Sequence, residues 1–212
     1  MSDNKIKYAF RIVHIDNIPY ILENGIVNAA KSTKKDDSYI ISIGDESLIE
    51  MRRNQNIIHT ESCIGDYIPF YFGPRTPMLY TIQHGYNGVR KCDATNLVYL
   101  VLKISDIIKS GFQGYFTDGH ALNICSDTYE IDKLKQLNEL VHYENVYRPY
   151  WSTKEDNSGE YKRLKSAELL IENNIPTTMI AGYVVYDKTT RDKLISFGID
   201  NNKIIIKKEY YF

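Results

Sequence analysis

The chain has 212 residues, 43% of them apolar and 25% charged, and a net charge of −1, which suits one folded domain with a substantial core. That near-neutral balance excludes a broad basic surface that coats nucleic acid, but not a local groove for a few nucleotides. No run approaches the ~20 apolar residues of a membrane span, and the polar amino terminus lacks a signal-peptide core, so a cytoplasmic location is expected.

Residues 7–15 alternate and are rich in β-branched and aromatic side chains, predicting a first strand. Asp16 then suits the cap of a short helix with Pro19 in its first turn, Ile18, Ile21 and Leu22 as its buried stripe, and Gly25 at its exit. Residues 31–38 read as a polar loop. Gly44-Asp45-Glu46-Ser47 opens a helix that runs to about Arg53. A strand over 67–72 stops at Gly73-Pro74, and Thr76-Pro77 starts a helix closed by Gly85. The apolar run 97–104 predicts a buried strand, with Ser105 capping the helix after it; residues 115–117 predict another strand.

Ile131, Leu134, Leu137 and Val141 follow helical spacing, so an amphipathic helix is expected from Asp132 to Tyr143. Residues 144–159 turn polar and aromatic around Pro149 and Trp151, as an ordered functional loop does. Strands are expected over 167–171, 180–186 and 203–208, with a helix from Thr190 to Phe197 between the last two. No repeat or linker interrupts the chain, so residues 1–212 read as one α+β domain with a mainly antiparallel sheet.

Most familiar catalytic signatures are missing. No glycine-rich dinucleotide or phosphate loop follows a strand, and no Gly-x-Ser-x-Gly elbow occurs. Cys63, Cys92 and Cys125 are widely spaced and odd in number, and His59 with Cys63 lacks a second ligand pair, so neither disulfides nor a metal are expected. What remains is a dispersed set: Arg11 and His14 on the first strand, Arg53 late in a helix, His120 after Thr117-Asp118-Gly119, and Glu168 in Ala167-Glu-Leu-Leu-Ile171. A carboxylate among apolar strand residues costs several kcal/mol unless it is paired, so Glu168 is either a satisfied structural acid or a catalytic one. Each of the others has an ordinary structural account: a surface ion pair, a core histidine, a solvated helix end or a turn.

The order of certain segments carries more. Arg11-Ile-Val-His-Ile-Asp-Asn-Ile-Pro19, Glu50-Met-Arg-Arg-Asn54, the block Asp66 to Tyr80, Phe116-Thr-Asp-Gly-His120, Ala167 to Ile171 and Lys207 to Tyr211 together resemble the DarT-type toxins. These are NAD-dependent ADP-ribosyltransferases that modify single-stranded DNA. The resemblance implies an ADP-ribosyltransferase fold, a mixed, mainly antiparallel split sheet with flanking helices and NAD held between the two halves. It implies an NAD site lined by Phe10, Arg11, Ile12, His14 and Arg53. Glu168 would stabilise an oxocarbenium-like centre, and Arg53 would act at a thymine base. His120, Tyr147, Arg148 and Trp151 would hold the strand within a substrate loop spanning roughly 120–168. Ser166 stands where relatives that modify protein arginines carry a second acid, which favours a base as acceptor. The partner implied is a macrodomain antitoxin of the DarG type. Other acceptors (RNA, another base, protein or water) and a non-catalytic nucleic-acid-binding module are the alternatives.

Overall fold

The computed structural model describes residues 4–28, 41–57, 60–152 and 158–212. Eight strands form one sheet: β1 (Tyr8–His14), β2 (Ile68–Tyr71), β3 (Leu97–Lys103), β4 (Gly114–Thr117), β5 (Thr128–Glu130), β6 (Glu168–Ile171), β7 (Ile180–Val185) and β8 (Ile204–Ile206). Their order is β5-β4-β6-β2-β1-β3-β7-β8, antiparallel throughout except for the β7–β8 pair.

The sheet is split at its middle. β1 pairs with β3 along its whole length, from Tyr8↔Lys103 to His14↔Leu97, yet meets β2 at a single position, Phe10↔Tyr71. Two four-stranded halves therefore diverge from that one pair. Where the ladder stops, the Arg11 side chain takes over, its Nη1 donating to the Pro69 carbonyl at 3.0 Å.

β3 reads Leu-Val-Tyr-Leu-Val-Leu before Lys103, and all six are buried because neighbours flank it on both sides. The larger apolar cluster gathers Ala9 and Val13 of β1 with Phe70, Phe72, Leu100, Phe116 and Leu169; a second gathers Phe10, Ile12, Tyr99 and Tyr211. The carboxyl end is pinned there, with Tyr211 Oη donating to the carbonyls of Leu97 and Val184.

Helices α1 (Ile18–Asn24), α2 (Glu46–Asn54), α3 (Pro77–His84), α4 (Ile104–Ser110), α5 (Leu137–Leu140), α6 (Tyr143–Val146), α7 (Glu160–Lys165) and α8 (Lys188–Ser196) flank the sheet. Their ends follow local chemistry. Asp45 Oδ1 accepts from the N–H groups of Ser47 and Leu48 to start α2, and Thr76 Oγ1 accepts from Leu79 N to start α3. Gly85 closes α3 in the left-handed region at φ 71°. No helix among the described residues is long and apolar enough to cross a membrane.

Several local expectations change. Asp16 caps nothing; its carboxylate binds Lys193 at 2.7 Å, and His14 Nδ1 accepts the Asp16 N–H instead. Ser105 donates to Asp106 rather than capping α4. The helix expected over 132–143 is a 3₁₀ stretch, Ile131–Gln136, followed by the single turn α5 and a break at Val141. Positions 131, 134 and 137 recur every three residues, which a 3₁₀ turn aligns on one face. Leu134, Leu137 and Val141 are buried as expected, so the apolar periodicity was a guide to burial rather than to helix type. β5 and α7 had no sequence signal. The polar loop expected over 31–38 and the His59 position lie outside the described residues.

Candidate active site

Glu168 opens β6, directly opposite Tyr71 of β2 in the register, and is fully buried. β6 lies between β4 and β2, so the carboxylate emerges from the interior of one half-sheet rather than its edge. Three hydrogen bonds hold it. Arg52 Nη2 donates to Oε2 at 2.8 Å and Arg52 Nη1 to Oε1 at 3.3 Å, and the Ala121 N–H donates to Oε1 at 3.1 Å. Behind it, the Glu168 N–H donates to Thr117 Oγ1, whose hydroxyl donates to the Gly119 carbonyl. The turn that carries His120 and Ala121 is thus tied to the strand that carries Glu168.

Burial by itself would raise the Glu168 carboxyl, but the Arg52 guanidinium, His120 and the Ala121 N–H together hold it below the usual carboxylate range. It is ionised at neutral pH. Burial lowers His120, against the attraction of Glu168. Arg11 lies in the same cluster and is lowered to about 10, first by burial and then by repulsion from Arg52. The Tyr71 hydroxyl, which donates to Met78 Sδ at 3.4 Å, is pushed up by burial and by Glu168. One carboxylate, two guanidiniums, an imidazole and a phenol therefore meet where the sheet divides.

The expected residues divide into those brought together and those not. Glu168, Arg11 and His120 belong to the cluster. Arg53 does not: its guanidinium faces Glu50 at 3.4 Å with both side chains 65% exposed, and the arginine at Glu168 is Arg52, 14% exposed. Phe10 and Ile12 are packed in the second apolar cluster, Phe10 edge-on to Tyr99 and Tyr210. His14 sits at the far end of β1 beside Asp16. In the substrate loop, Tyr147 stacks on Tyr143 at 4.2 Å, Arg148 lies 3.5 Å above the Tyr161 ring, and Trp151 packs edge-on against Tyr80 and Phe212.

Sequence reasoning missed Arg52, Tyr71 and the Ala121 N–H. No local signal separated Arg52 from Arg53: Arg52 lies three and four residues after Ile49 and Leu48, the half-buried apolar residues of α2, but Arg53 also lies four residues after Ile49. Nothing local marks a backbone N–H as a carboxylate partner. A second feature adjoins the cluster: a cavity of about 400 Å³ lined by Gln55, Ile57, Thr117, Ala121, Leu122 and Leu170 among others. No group of three His, Cys, Asp or Glu side chains among the described residues is placed to hold a metal.

Comparison with known proteins gives the family. Residues 10–212 match the family model described as DarT, ssDNA thymidine ADP-ribosyltransferase. A DNA ADP-ribosyl transferase of Escherichia coli O127:H6 is 30% identical over 195 residues, covering 91% of this chain and 86% of that one. A fusion protein of Thermosipho africanus, DNA ADP-ribosyl transferase joined to DNA ADP-ribosyl glycohydrolase, is 25% identical over 94% of this chain and 47% of its own length. The structure of Thermus sp. 2.9 DarT in complex with ADP-ribosylated ssDNA superposes with a TM-score of 0.79 at 24% identity, over 98% of this chain and 97% of that chain, a likeness in fold. The family model's match to residues 10–212, with a 30% identical relative covered over most of its length, shows that this chain belongs to the DarT family of single-stranded DNA thymidine ADP-ribosyltransferases.

Proposed function

We propose that the chain transfers ADP-ribose from NAD to a thymine base in single-stranded DNA at the mouth of the split, with Glu168 as the catalytic carboxylate. The bond from the nicotinamide nitrogen to ribose C1′ breaks, and nicotinamide leaves with the electron pair. A ring nitrogen of the base then bonds to C1′ and gives up its proton to solvent. Positive charge grows on the sugar along this path, so a preorganised carboxylate stabilises the transition state more than the ground state. Glu168 suits that part because it is fully buried yet kept ionised by Arg52 and the Ala121 N–H. That one observation carries the reading.

The role at the acceptor base, expected of Arg53, goes to Arg52 in this proposal, since Arg52 is the guanidinium at the carboxylate. An arginine is too weak an acid to work as a base at neutral pH. Its contribution is electrostatic: it steadies the deprotonated ring and, before substrate arrives, keeps Glu168 ionised. Arg11, which links β1 to the Pro69 carbonyl of β2 beside Arg52, is the candidate to meet an anionic part of the dinucleotide. NAD and DNA as substrates put the reaction in the cytoplasm. A chain that writes on DNA needs a neutralising partner, and the relative fused to a DNA ADP-ribosyl glycohydrolase supports a macrodomain antitoxin of the DarG type.

The test is mass analysis of separate single-stranded DNA, RNA and protein pools after incubation with NAD. Addition of one ADP-ribose to DNA alone, at thymine, with a loss of ~10²–10³ in rate for Glu168→Gln, is the expected result. Modification of RNA or protein instead would change the acceptor. Nicotinamide release that is indifferent to added oligonucleotide would make the protein a plain glycohydrolase.

A further inference from the structure

Apart from the carboxylate cluster, a second group of charges has no counter-charge among the described residues. Arg75 lies between β2 and α3, Arg148 follows α6, and Lys165 ends α7. Gly73 brings these segments together: a Cβ there would lie 2.0 Å from the Val146 carbonyl oxygen, so only glycine lets the exit of β2 lie against the end of α6. Lys165, 1% exposed, stitches the same seam, its Nζ donating to the carbonyls of Pro74 and Val146 at 3.0 Å each. Burial first, and then repulsion from the neighbouring Arg75 and Arg148, lower it to about 7.

The two arginines are poorly satisfied. Among the described residues, Arg75 Nε and Arg148 Nε and Nη1 are buried without a hydrogen-bond partner, although both residues as a whole are only half-buried. None of the three cations makes an ion pair with a described Asp or Glu; nearby Arg163, by contrast, binds both Asp118 and Glu160. The arginines are braced by aromatic rings instead. Arg75 lies 4.3 Å above Phe212 and 5.3 Å from Tyr150, and Arg148 lies 3.5 Å above Tyr161. Arg75 also holds a left-handed backbone, φ 53°, uncommon for a residue with a Cβ, with its N–H donated to Tyr99 Oη at 3.1 Å. Unpaired buried donors are rare and call for an explanation, and the oxygens a guanidinium fork matches best are those of a carboxylate or a phosphate.

We propose that Arg75 and Arg148, with Lys165 beneath them, form a phosphate-binding site that takes a backbone phosphate of the single-stranded DNA. Guanidinium forks match phosphate oxygens in pairs. Tyr150, 65% exposed beside Arg75, offers a face on which an adjoining base stacks, which a free ion or a buried pyrophosphate would not need. The site deepens the DNA-transfer reading and rests on it for the identity of the strand, but not for the phosphate chemistry.

The experiment measures oligonucleotide binding without NAD, by fluorescence anisotropy across a salt series, for the wild type and for Arg75→Gln, Arg148→Gln and the double variant. Each single variant is expected to weaken binding to all single-stranded sequences alike and to reduce the slope of log affinity against log salt by about 0.7, the share of one single-strand phosphate contact. Arg148→Lys, which keeps the charge, should restore the slope. A parallel titration with NAD separates the sources: a weakened NAD affinity with an unchanged oligonucleotide slope would assign the phosphate to the dinucleotide and overturn the strand assignment. Unchanged binding of both ligands by folded variants would refute the site. Because no turnover is read, a protein that binds DNA here yet transfers nothing would sink the transfer reading while leaving the site intact.

Discussion

Replacing Arg52 and Arg53 one at a time separates two neighbours that the sequence cannot. Arg52 makes a two-pronged ion pair with a carboxylate of zero exposure, whereas Arg53 pairs with Glu50 in open solvent. Arg52→Ala leaves Glu168 buried with only the Ala121 N–H, a loss of about 3–5 kcal/mol for breaking a buried pair from one side. At roughly 2–4 °C per kcal/mol for a chain of this size, the melting temperature should fall by about 6–20 °C. Arg53→Ala should stay within about 0.5 kcal/mol, less than ~2 °C. The pH dependence sharpens the comparison. In the wild type Glu168 is lower when folded than when unfolded, so the stability it contributes is present above ~4.3 and is lost as pH falls through the depressed folded value. Without Arg52, burial dominates and raises the carboxyl, so the variant is relieved as that group protonates. The stability gap between wild type and Arg52→Ala should therefore be widest near neutral pH. It should narrow steadily as acid is added. Urea melts at a series of pH values, read alongside DNA transfer, decide it. Equal losses for the two alanine variants, or a gap that widens in acid, would refute this account of the pair.

Three further outcomes follow from the geometry. Gly73→Ala should destabilise by several kcal/mol, seen as a lowered urea midpoint, because its methyl group would collide with the Val146 carbonyl. Arg163→Met should cut transfer as well as stability: the Arg163 guanidinium, 9% exposed, holds Asp118 at 2.9 Å and Glu160 at 2.7 Å, so its loss loosens the turn that aims Ala121 at Glu168 even though the backbone bond from His120 N–H to the residue 163 carbonyl remains. A fall of ~10-fold or more in kcat, read at a temperature where the variant is still folded, would fit; full kcat in the folded variant would not. Trp151→Ala should lower the melting temperature by several degrees, since the ring wedges between Tyr80 and Phe212. If instead only DNA affinity falls, Trp151 contacts the strand directly.

Much of this architecture was legible residue by residue. Alternation and apolar runs located β1, β2, β3, β6 and β7 to within a residue or two, because a side chain's face in a strand depends on parity alone. Thr76-Pro77 and Gly85 bounded α3 because cap chemistry acts over three or four residues. That Glu168 is a paired acid was readable for the same local reason: a carboxylate in a buried run must find a partner. Its partners were not readable. Arg52 is 116 residues away in sequence and Ala121 is 47 away, and choosing Arg52 over Arg53 required the rotation of α2 against β6. The split between β1 and β2 also left no mark, since Arg11 and Phe70 look like ordinary strand residues until the ladder between them fails to form. Chain-local energetics settle which segments become strands and helices and which acid must find a partner. Long-range packing alone settles which guanidinium reaches that acid and where the sheet opens, because both depend on distances between residues that the chain order does not encode.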